Sequence, residues 1–359
     1  MSPKDDRLRV LDQHGLNAGP PPDLLGEQFI TPVGLFFTRS HAPPPDIDAS
    51  QWRLRVHGLV RQELDLSLEN LKNNFPAREL AATLVCAGLR RDELEAFRPI
   101  PGELPWGLEP VSTGLWKGAA LRDVLEAAGV QPDADHVSFT ALDEVERQGR
   151  RFGFGGSIPL AKALSSEVLL AYEMNGEPLP QVHGFPLRVV APGYIGARSV
   201  KWLGEIELTR SSSGNFFQAD AYRIVREPPA DGAGTAGAEM NEIPLNAAIL
   251  VPEPNTKLAA GLVQISGWAL TPDSFSVESV ECSADDGRNW TQATIYASDG
   301  PWAWELWRVS LDLKPGPHTL VVRCRDRAGS RQPAALADVW NVKGYGNNSW
   351  HRVNIDVMD

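Results

Sequence analysis

The pattern of apolar and polar residues divides the chain into two parts of different character. Residues up to about 225 mix strand-like alternation, as in WRLRVHGLV, with helical spacing, as in LRDVLEAAGV, which ends at a glycine. HVSFTAL and EVLLAYEMNGEPL predict further strands, the second closing at a turn around Asn175 and Gly176. Because no regular strand–helix alternation indicates a doubly wound parallel sheet, this part is predicted to be a mixed α+β domain.

Residues after about 245 carry almost only strand patterns. The segments are QISGWAL, VESVECS, WTQATIYA, WRVSLDL, HTLVVRCRD and WHRVNIDV. Short strands at roughly ten-residue spacing favour a β-sandwich, and the residues 284–288 supply a plausible hairpin turn. The intervening REPPADGAGTAGAEMNEIP is rich in Pro, Gly and Ala and predicts a connector. We therefore expect domains over residues 1–225 and 246–359, joined by a linker over 226–245.

Composition and charge narrow the possible partners. The chain has 359 residues, which favours two domains over one core. Its 34 basic and 46 acidic residues give a net charge of −12, which argues against a nucleic-acid partner. No apolar run is long enough to cross a bilayer, and the N-terminus lacks an export signal, so we expect no membrane contact and a cytoplasmic location.

Three cysteines are too few and too scattered for a disulfide framework or a cysteine-rich zinc site. Cys86 follows an apolar strand in TLVCAGLRRDEL, beside Arg90 and Arg91, whose charges favour the thiolate that soft-metal binding requires. The alternative is a buried cysteine that acts as a small apolar filler. Cys282 and Cys324 alternate with valine and leucine, so we expect them to pack in a core.

A second candidate segment is QVHGFPLRVVAPGYIGARSVKWLGEIEL. Its polar residues are His183, Arg188, Arg198, Ser199 and Lys201. Glycine permits close backbone approach, and Arg and Lys neutralise phosphate oxygens, so the segment suits a phosphorylated organic cofactor. The alternative is a glycine-bearing turn with solvated basic residues. No Walker motif is present.

Two further segments carry weaker signals. In GLFFTRSHAPPPDID, Arg39 and His41 precede a stiff proline-rich stretch that is able to hold a polar pair at the edge of a site. The glycines of RRFGFGGS lack the context of a dinucleotide-binding motif, so we expect a loop there.

Taken in order, these segments resemble the sulfite oxidase family, which includes the molybdenum domain of assimilatory nitrate reductases. FFTRSHAPPP is similar to the family's F-F-x-R-N-H-x-P-x-P and CAGLRR to its C-A-G-N-R-R. The stretch from His183 to Leu203 matches H-G-[FY]-P-x-R-V-V-x-P-G-x-x-G-A-R-S-V-K-W-L almost fully. GWA, WAWELW and WNVKGYGNNSWHRV resemble its dimerisation domain. The resemblance covers nearly the whole chain and implies a molybdopterin-binding domain followed by an immunoglobulin-like sandwich.

The resemblance also implies individual roles. Cys86 would be the thiolate ligand of molybdenum. The residues that fall on molybdopterin contacts are Phe37, Arg39, His41, Cys86, Asp143, His183, Arg188, Ser199 and Lys201. Those that fall on the catalytic anion site are Arg39, Cys86, Arg91, Trp106, Tyr222 and Lys343. Trp106 and Tyr222 have packing as their alternative role.

The chain departs from the family pattern at several positions. Leu89 replaces the usual Asn of C-A-G-N-R-R, Ala221 stands where an Asp often precedes the tyrosine, and a lysine usual before LPWG is missing. Lys343 stands where sulfite-oxidising members have Arg and nitrate-reducing members typically have Met. Lysine keeps the charge but loses the bidentate fork, so Lys343 favours a doubly charged substrate such as sulfite.

The sequence therefore predicts oxidation of sulfite to sulfate at a molybdenum–molybdopterin cofactor. No haem segment with His-Pro-Gly-Gly and no flavin domain is present in the sequence, so we expect the electrons to pass to an external acceptor, such as oxygen, a cytochrome or another carrier. A homodimer is expected from the family resemblance and from the aromatic-rich WAWELW segment. One alternative is a same-family enzyme that reduces nitrate or an S- or N-oxide. The other is a metal-free binding protein with a sandwich domain.

Overall fold

The first part of the chain is a mixed α+β unit. The computed structural model describes residues 4–12, 16–227 and 237–359. The strands of this part are β1 Arg9–Val10, β2 Ala18–Gly19, β3 Leu54–Gly58, β4 Leu64–Leu66, β5 Ala77–Val85, β6 Val111–Ala120, β7 His136–Ala141, β8 Val145–Arg147, β9 Arg150–Phe152, β10 Gly155–Pro159, β11 Leu169–Met174, β12 Glu177–Pro178, β13 Arg188–Val190, β14 Leu203–Thr209, β15 Arg223–Ile224 and β16 Ala238–Glu239. The helices are α1 Pro22–Leu25, α2 Leu68–Asn74, α3 Arg91–Phe97, α4 Leu121–Ala128, α5 Leu160–Ala163 and α6 Phe216–Ala219, with 3-10 turns at Gln181–His183 and Gly196–Arg198.

Two sheets form the framework of this unit. One has the order β10-β7-β14-β3-β4, in which β14 runs parallel to β3. The other has the order β12-β11-β6-β5, with β13 also paired to β11. A continuous apolar core contains residues of β3, β7, β11, β14 and α4. Val189 of β13 is buried in this core, and β5 is paired along its whole length with β6. These contacts fix β5 and β13, which carry or adjoin residues predicted to be functional.

Local sequence signals explain several of these elements. Leu121, Val124, Leu125 and Ala128 are buried at the spacing of one helical face, and α4 ends at Gly129, whose φ of 71° suits glycine. The predicted turn between β11 and β12 is also present, with positive φ at residues 175 and 176. The prediction of an α+β first domain is confirmed.

The second part is a β-sandwich, as predicted. Its strands are β17 Asn246–Val251, β18 Lys257–Ala259, β19 Gly261–Leu270, β20 Val277–Ser283, β21 Thr291–Gln292, β22 Thr294–Ala297, β23 Glu305–Leu313, β24 Gly316–Asp326 and β25 His351–Met358, with a 3-10 turn at Leu336–Asp338. The sheets have the orders β17-β19-β23-β22 and β18-β25-β24-β20-β21. Their shared core includes Cys282 and Cys324, so core packing of these two cysteines is confirmed.

Two expectations from the sequence, one in each part of the chain, were wrong. WTQATIYA is not one strand, because β21 pairs with β20 while β22 pairs with β23 in the opposite sheet. RRFGFGGS is not a loop but forms β9 and most of β10. Its glycines mark close backbone approach: a Cβ at Gly153 would lie 2.1 Å from the Ala141 carbonyl oxygen, and one at Gly155 would lie 2.7 Å from that of Phe139.

The predicted linker over 226–245 lies partly outside the described residues. Its described residues 237–245 pack against the rest of the protein, because β16 pairs with β15 and the side chains of Met240 and Ile243 are buried. The domain boundaries themselves stay predictions. Within the described ranges, no helix has the length and apolar character needed to cross a membrane.

Candidate active site

A cavity lies where the end of β5, the segment 36–41, the start of β13 and the turn Gly196–Arg198 meet. Most of the predicted cofactor-binding and catalytic residues line it. They are Phe37, Arg39, His41, Cys86, Asp143, His183, Arg188, Ser199, Lys201 and Tyr222. The fold therefore brings together segments that are far apart in the sequence.

Cys86 lies at the wall of the cavity, directly after β5. Its backbone N–H donates to the Pro110 carbonyl at 2.9 Å, and its carbonyl accepts from the Leu89 N–H at 3.0 Å, which closes a tight turn. The N–H of Gly88 donates to Sγ at 3.5 Å. The thiol is free, and the other two cysteines of the chain lie in the sandwich core. Cys86 is thus the soft donor available to a metal in this cavity.

Arg91 lies in a slot formed by two glycines. A Cβ at Gly88 would lie 2.7 Å from the Arg91 guanidinium, and one at Gly344 would lie 2.6 Å from Cγ of Arg91. The guanidinium donates from Nε to the Lys343 carbonyl at 2.8 Å and from Nη1 to the Leu104 carbonyl at 2.9 Å. It does not line the cavity itself, but it packs against the turn that carries the Cys86 thiol.

Arg90 turns away from this thiol. Its guanidinium is fully buried and forms a bidentate ion pair with Glu93, at 2.6 and 2.8 Å, and it also donates to Oδ1 of Asn246 at 2.9 Å. Only one of the two guanidinium groups expected beside Cys86 therefore lies there. Arg91 stays at the site, while Arg90 binds the sandwich.

Two cations, buried Arg188 and partly buried Lys201, also line the cavity, and among the described residues neither forms an ion pair with a carboxylate. Arg188 donates to the carbonyls of His183 and Ser199, at 2.9 and 3.0 Å, and burial lowers its pKa to about 9. Lys201 donates to Oγ of Ser40 at 2.7 Å. Burial, and then the charge of Arg188, lower the pKa of Lys201 well below its usual value. A bound anion would remove this destabilisation, so the wall suits phosphate.

His183 joins the cations to the N-terminal segment. Its Nε2 lies 2.7 Å from Nζ of Lys4, which also donates to the carbonyls of Val33 and Phe36. Burial first, and then the Lys4 charge, lower the pKa of His183 well below 6.5, so the imidazole is neutral at pH 7. Burial also lowers the pKa of Lys4 to about 7.

A chain of polar contacts joins three further residues of the cavity lining, Arg39, His41 and Tyr222. Nη2 of Arg39 lies 3.5 Å from Nδ1 of His41, and Nε2 of His41 lies 3.0 Å from the hydroxyl of Tyr222. Burial, followed by the charges of Arg39 and Arg147, lowers the pKa of His41. Burial raises the pKa of Tyr222 to about 12, so its hydroxyl keeps a proton to donate. The arrangement combines a fixed cation with a hydroxyl donor.

Three other predicted cofactor contacts have clear local partners. Oδ1 of Asp143 accepts from the Phe154 N–H at 2.7 Å, and burial raises the pKa of this carboxyl. Oγ of Ser199 accepts from the Ala191 N–H at 3.1 Å, which leaves its hydroxyl proton free to donate. The ring of Phe37 stacks on that of Phe36 with centroids 5.6 Å apart.

Trp106 and Lys343 do not line the cavity. Trp106 is fully buried in the apolar cluster that includes Cys86, and its Nε1 has no hydrogen-bond partner among the described residues. The side chain of Lys343 is 47% exposed, and its Nζ lies 2.9 Å from Oε1 of Glu103. Arg198, singled out with the second segment, is structural, because it donates to Asn241 and to the carbonyls of Phe217 and Met240.

Sequence reasoning missed several residues of this region. Lys4, Glu103 and Arg147 stand in segments without a motif, so no local signal pointed to them. Tyr345 lies in WNVKGYGNNSWHRV, a segment that resembles the family, so this resemblance was a signal that could have identified it. Its ring stacks on that of Tyr222 with centroids 5.3 Å apart, and the Arg91 guanidinium lies 5.2 Å from the Tyr345 ring centroid.

Comparisons with known proteins agree with this geometry. Residues 41–217 match the family model "Oxidoreductase molybdopterin binding domain", and residues 238–358 match "Mo-co oxidoreductase dimerisation domain". The chain is 40% identical over 364 residues to sulfite oxidase of Gallus gallus, with 98% of this chain and 78% of that protein covered. It belongs to the sulfite oxidase family.

The alignment with this chain covers different shares of other members of the sulfite oxidase family. Sulfite oxidase of Arabidopsis thaliana is 34% identical, with 98% of this chain and 94% of that protein covered. Inducible nitrate reductase 2 of Glycine max is 35% identical, but only 42% of it is covered. Among solved structures, the sulfane dehydrogenase SoxCD from Paracoccus pantotrophus has a TM-score of 0.82 and 25% identity, covering 99% of this chain and 91% of that one.

Membership of this family makes the chain an oxidoreductase whose cofactor is molybdenum bound to molybdopterin. The residues present fit that group. Buried Arg188 and partly buried Lys201 form no ion pair with a carboxylate among the described residues, and Cys86 offers a thiol in the lining of the same cavity. An anionic organic group with a soft metal at one end matches both features. The prediction of this cofactor is confirmed.

Proposed function

We propose that this chain oxidises sulfite to sulfate. In this reaction sulfite gains one oxygen atom from water and releases two electrons and two protons. The observation that carries the proposal is the position of Arg91, whose guanidinium packs against Gly88 in the turn that holds the Cys86 thiol. A fixed cation beside a metal ligand stabilises a small oxyanion at the metal. The names of the relatives in Gallus gallus and Arabidopsis thaliana support the same substrate.

The protein's own residues supply binding, orientation and charge. Cys86 would hold the metal, and Arg188, Lys201 and Ser199 would hold the anionic part of the cofactor. When bound, the cofactor would accept two electrons and deliver an oxygen atom that comes from water. Arg39 and Arg91 would oppose the cost of desolvating the substrate anion, and the Tyr222 hydroxyl would donate to a substrate oxygen. His41 fixes the direction of that hydroxyl through its 3.0 Å contact.

The proposal extends to the partners of the chain. The electrons pass to an external acceptor, whose identity stays open between oxygen, a cytochrome and another carrier. The match over residues 238–358 to a dimerisation domain supports a homodimer. The cytoplasmic location expected from the N-terminus also stays a prediction.

Purification from a host that makes the cofactor tests this function directly. We expect close to one molybdenum per chain by elemental analysis, and sulfite-dependent reduction of an artificial electron acceptor such as ferricyanide. The matched assay for the alternative function supplies nitrate or an S-oxide together with a reduced dye, and it measures reduction of the oxide by oxidation of the dye. Oxide reduction without sulfite oxidation in the molybdenum-loaded protein would contradict the proposal.

A further inference from the structure

One acidic residue lies among the cations that the substrate anion is expected to use. Oε1 of Glu103 lies 2.9 Å from Nζ of Lys343, and its Oε2 lies 3.7 Å from Nη2 of Arg91. The Glu103 side chain is only 18% exposed, whereas that of Lys343 is 47% exposed. A carboxylate therefore bridges two of the three cations that were assigned to the anion from the sequence.

The loop that carries Glu103 is held firmly in place. Ile100 packs with Leu94 and Trp340, and Nε1 of Trp340 donates to the Arg98 carbonyl at 3.0 Å. The neighbouring Leu104 carbonyl accepts from Arg91 at 2.9 Å. Contacts on both sides thus fix the backbone on either side of Glu103 and hold its carboxylate close to the two cations.

Glu103 also lies within electrostatic reach of the cavity. Its charge is among the influences that raise the pKa of Tyr222, a residue of the cavity wall, and of Tyr345, which stacks on Tyr222. Like charges repel, so a carboxylate here opposes a dianion near the Tyr222 hydroxyl. It opposes a singly charged anion less.

We propose that Glu103 is a specificity-determining residue that competes with the substrate anion for Arg91 and Lys343. In the free protein its carboxylate occupies the positions on the two cations that an oxyanion would take. Substrate binding then displaces this carboxylate, which raises the concentration of anion needed and discriminates against weakly binding dianions. This inference rests on the proposed function for the identity of the substrate, but not for the contacts of Glu103.

The matched test replaces the carboxylate by an amide of the same shape. Glu103→Gln in the cofactor-loaded protein is expected to lower KM for sulfite about fivefold and to leave kcat within about twofold, because the competing charge is lost while the shape is kept. The dissociation constant of sulfate, measured by isothermal titration calorimetry without turnover, should fall by a similar factor. Added salt should weaken sulfate binding more steeply than in the original protein, since more net positive charge is exposed to screening.

Two further variants make the outcome decisive. Glu95→Gln removes one negative charge from α3, the helix that begins at Arg91, and Glu95 makes no ion pair with any described residue. It is expected to leave the sulfate dissociation constant within about twofold. In Glu103→Gln combined with Lys343→Met, the gain in sulfate affinity should shrink, because one of the released cations is gone.

An unchanged or weaker affinity for sulfate in Glu103→Gln would overturn the proposal, because Glu103 would then serve to orient the two cations. An equal gain in sulfate affinity in Glu95→Gln would also overturn it, because the gain in Glu103→Gln would then come from the change in net charge and not from the contacts of Glu103. Failure of the proposed function looks different. In that case the loaded protein does not oxidise sulfite, yet Glu103→Gln still tightens sulfate binding.

Discussion

At the scale of single residues, the site depends on small side chains as much as on reactive ones. Gly88 leaves space for the Arg91 guanidinium beside the Cys86 turn, and Gly344 leaves space for the Arg91 stem. Arg91 is thereby placed near the metal ligand, where its contact with the Glu103 carboxylate is long, at 3.7 Å. A substrate anion that approaches the guanidinium more closely is expected to displace this carboxylate.

Cys86→Ser is predicted to abolish sulfite oxidation and to lower the molybdenum content while leaving the fold intact. A hydroxyl is a far poorer ligand for a soft metal than a thiolate, yet it has nearly the same size. Circular dichroism and elemental analysis on the purified variant check both parts. Cys324→Ser, in the sandwich core, serves as the control and should keep its metal. Full turnover in Cys86→Ser would refute the assignment of the ligand.

The sequence was informative wherever a motif carried the chemistry. Cys86, Arg188 and Lys201 each lie in a segment whose spacing is specific, and all three line one cavity. Lys4 and Glu103 were not predictable, because a lone charge in a loop is most often solvated, and only the fold brings Lys4 to buried His183 and Glu103 to buried Arg91. Lys343 carried the right charge for an anion site, but no local pattern predicts its ion pair with Glu103.

At the scale of elements, a buried polar network joins α3 to the sandwich. Arg90 pairs with Glu93 and donates to Asn246 of β17, and Nε2 of His351 in β25 lies 3.8 Å from Oε1 of Glu93. Nδ1 of His351 accepts from the Ile249 N–H at 3.0 Å. The helix that follows the Cys86 turn is therefore fixed by residues more than 150 positions further along the chain.

Acid is predicted to weaken the fold through His351. Burial lowers the pKa of His351 to about 4, whereas the unfolded chain has the ordinary value of about 6.5. Between these two values the unfolded state binds a proton that the folded state does not, so stability is lost as pH falls. We expect roughly 2 kcal/mol less free energy of unfolding at pH 5 than at pH 7 from this group.

Urea titrations at both pH values measure this loss. His351→Asn keeps an acceptor near the Ile249 N–H and removes the titrating group, so its loss between pH 7 and pH 5 should be smaller than that of the original protein. His318→Asn, at a partly exposed position of β24, is the control and should lose as much as the original. Equal losses in all three proteins would exclude His351 as the cause.

At the scale of the whole molecule, the two parts of the chain form one structure. Thr83 of β5 donates from its N–H to the Trp302 carbonyl at 2.9 Å, and Nε1 of Trp304 donates to the Phe29 carbonyl at 2.9 Å. Trp304 and Trp307 are fully buried within the chain. WAWELW therefore packs inside the protomer, and this segment no longer supports a dimer as an exposed aromatic surface.

The homodimer prediction now rests on the family match over residues 238–358. Multi-angle light scattering at micromolar concentration should give about twice the 39.2 kDa of one chain. Removing residues 246–359 is not a usable control, because the first part would lose buried contacts such as that between Thr83 and Trp302. Dilution into the nanomolar range is the better control. A mass of one chain at micromolar concentration would contradict the prediction.

The position of β25 connects distant parts of the sequence. β25 lies between β24 and β18, and β18 has no other sheet partner among the described residues. Gly346, a few residues before β25, donates its N–H to the Ala87 carbonyl, next to Cys86. A substitution that displaces β25 is therefore expected to open one sheet of the sandwich and to disturb the backbone beside the candidate metal ligand.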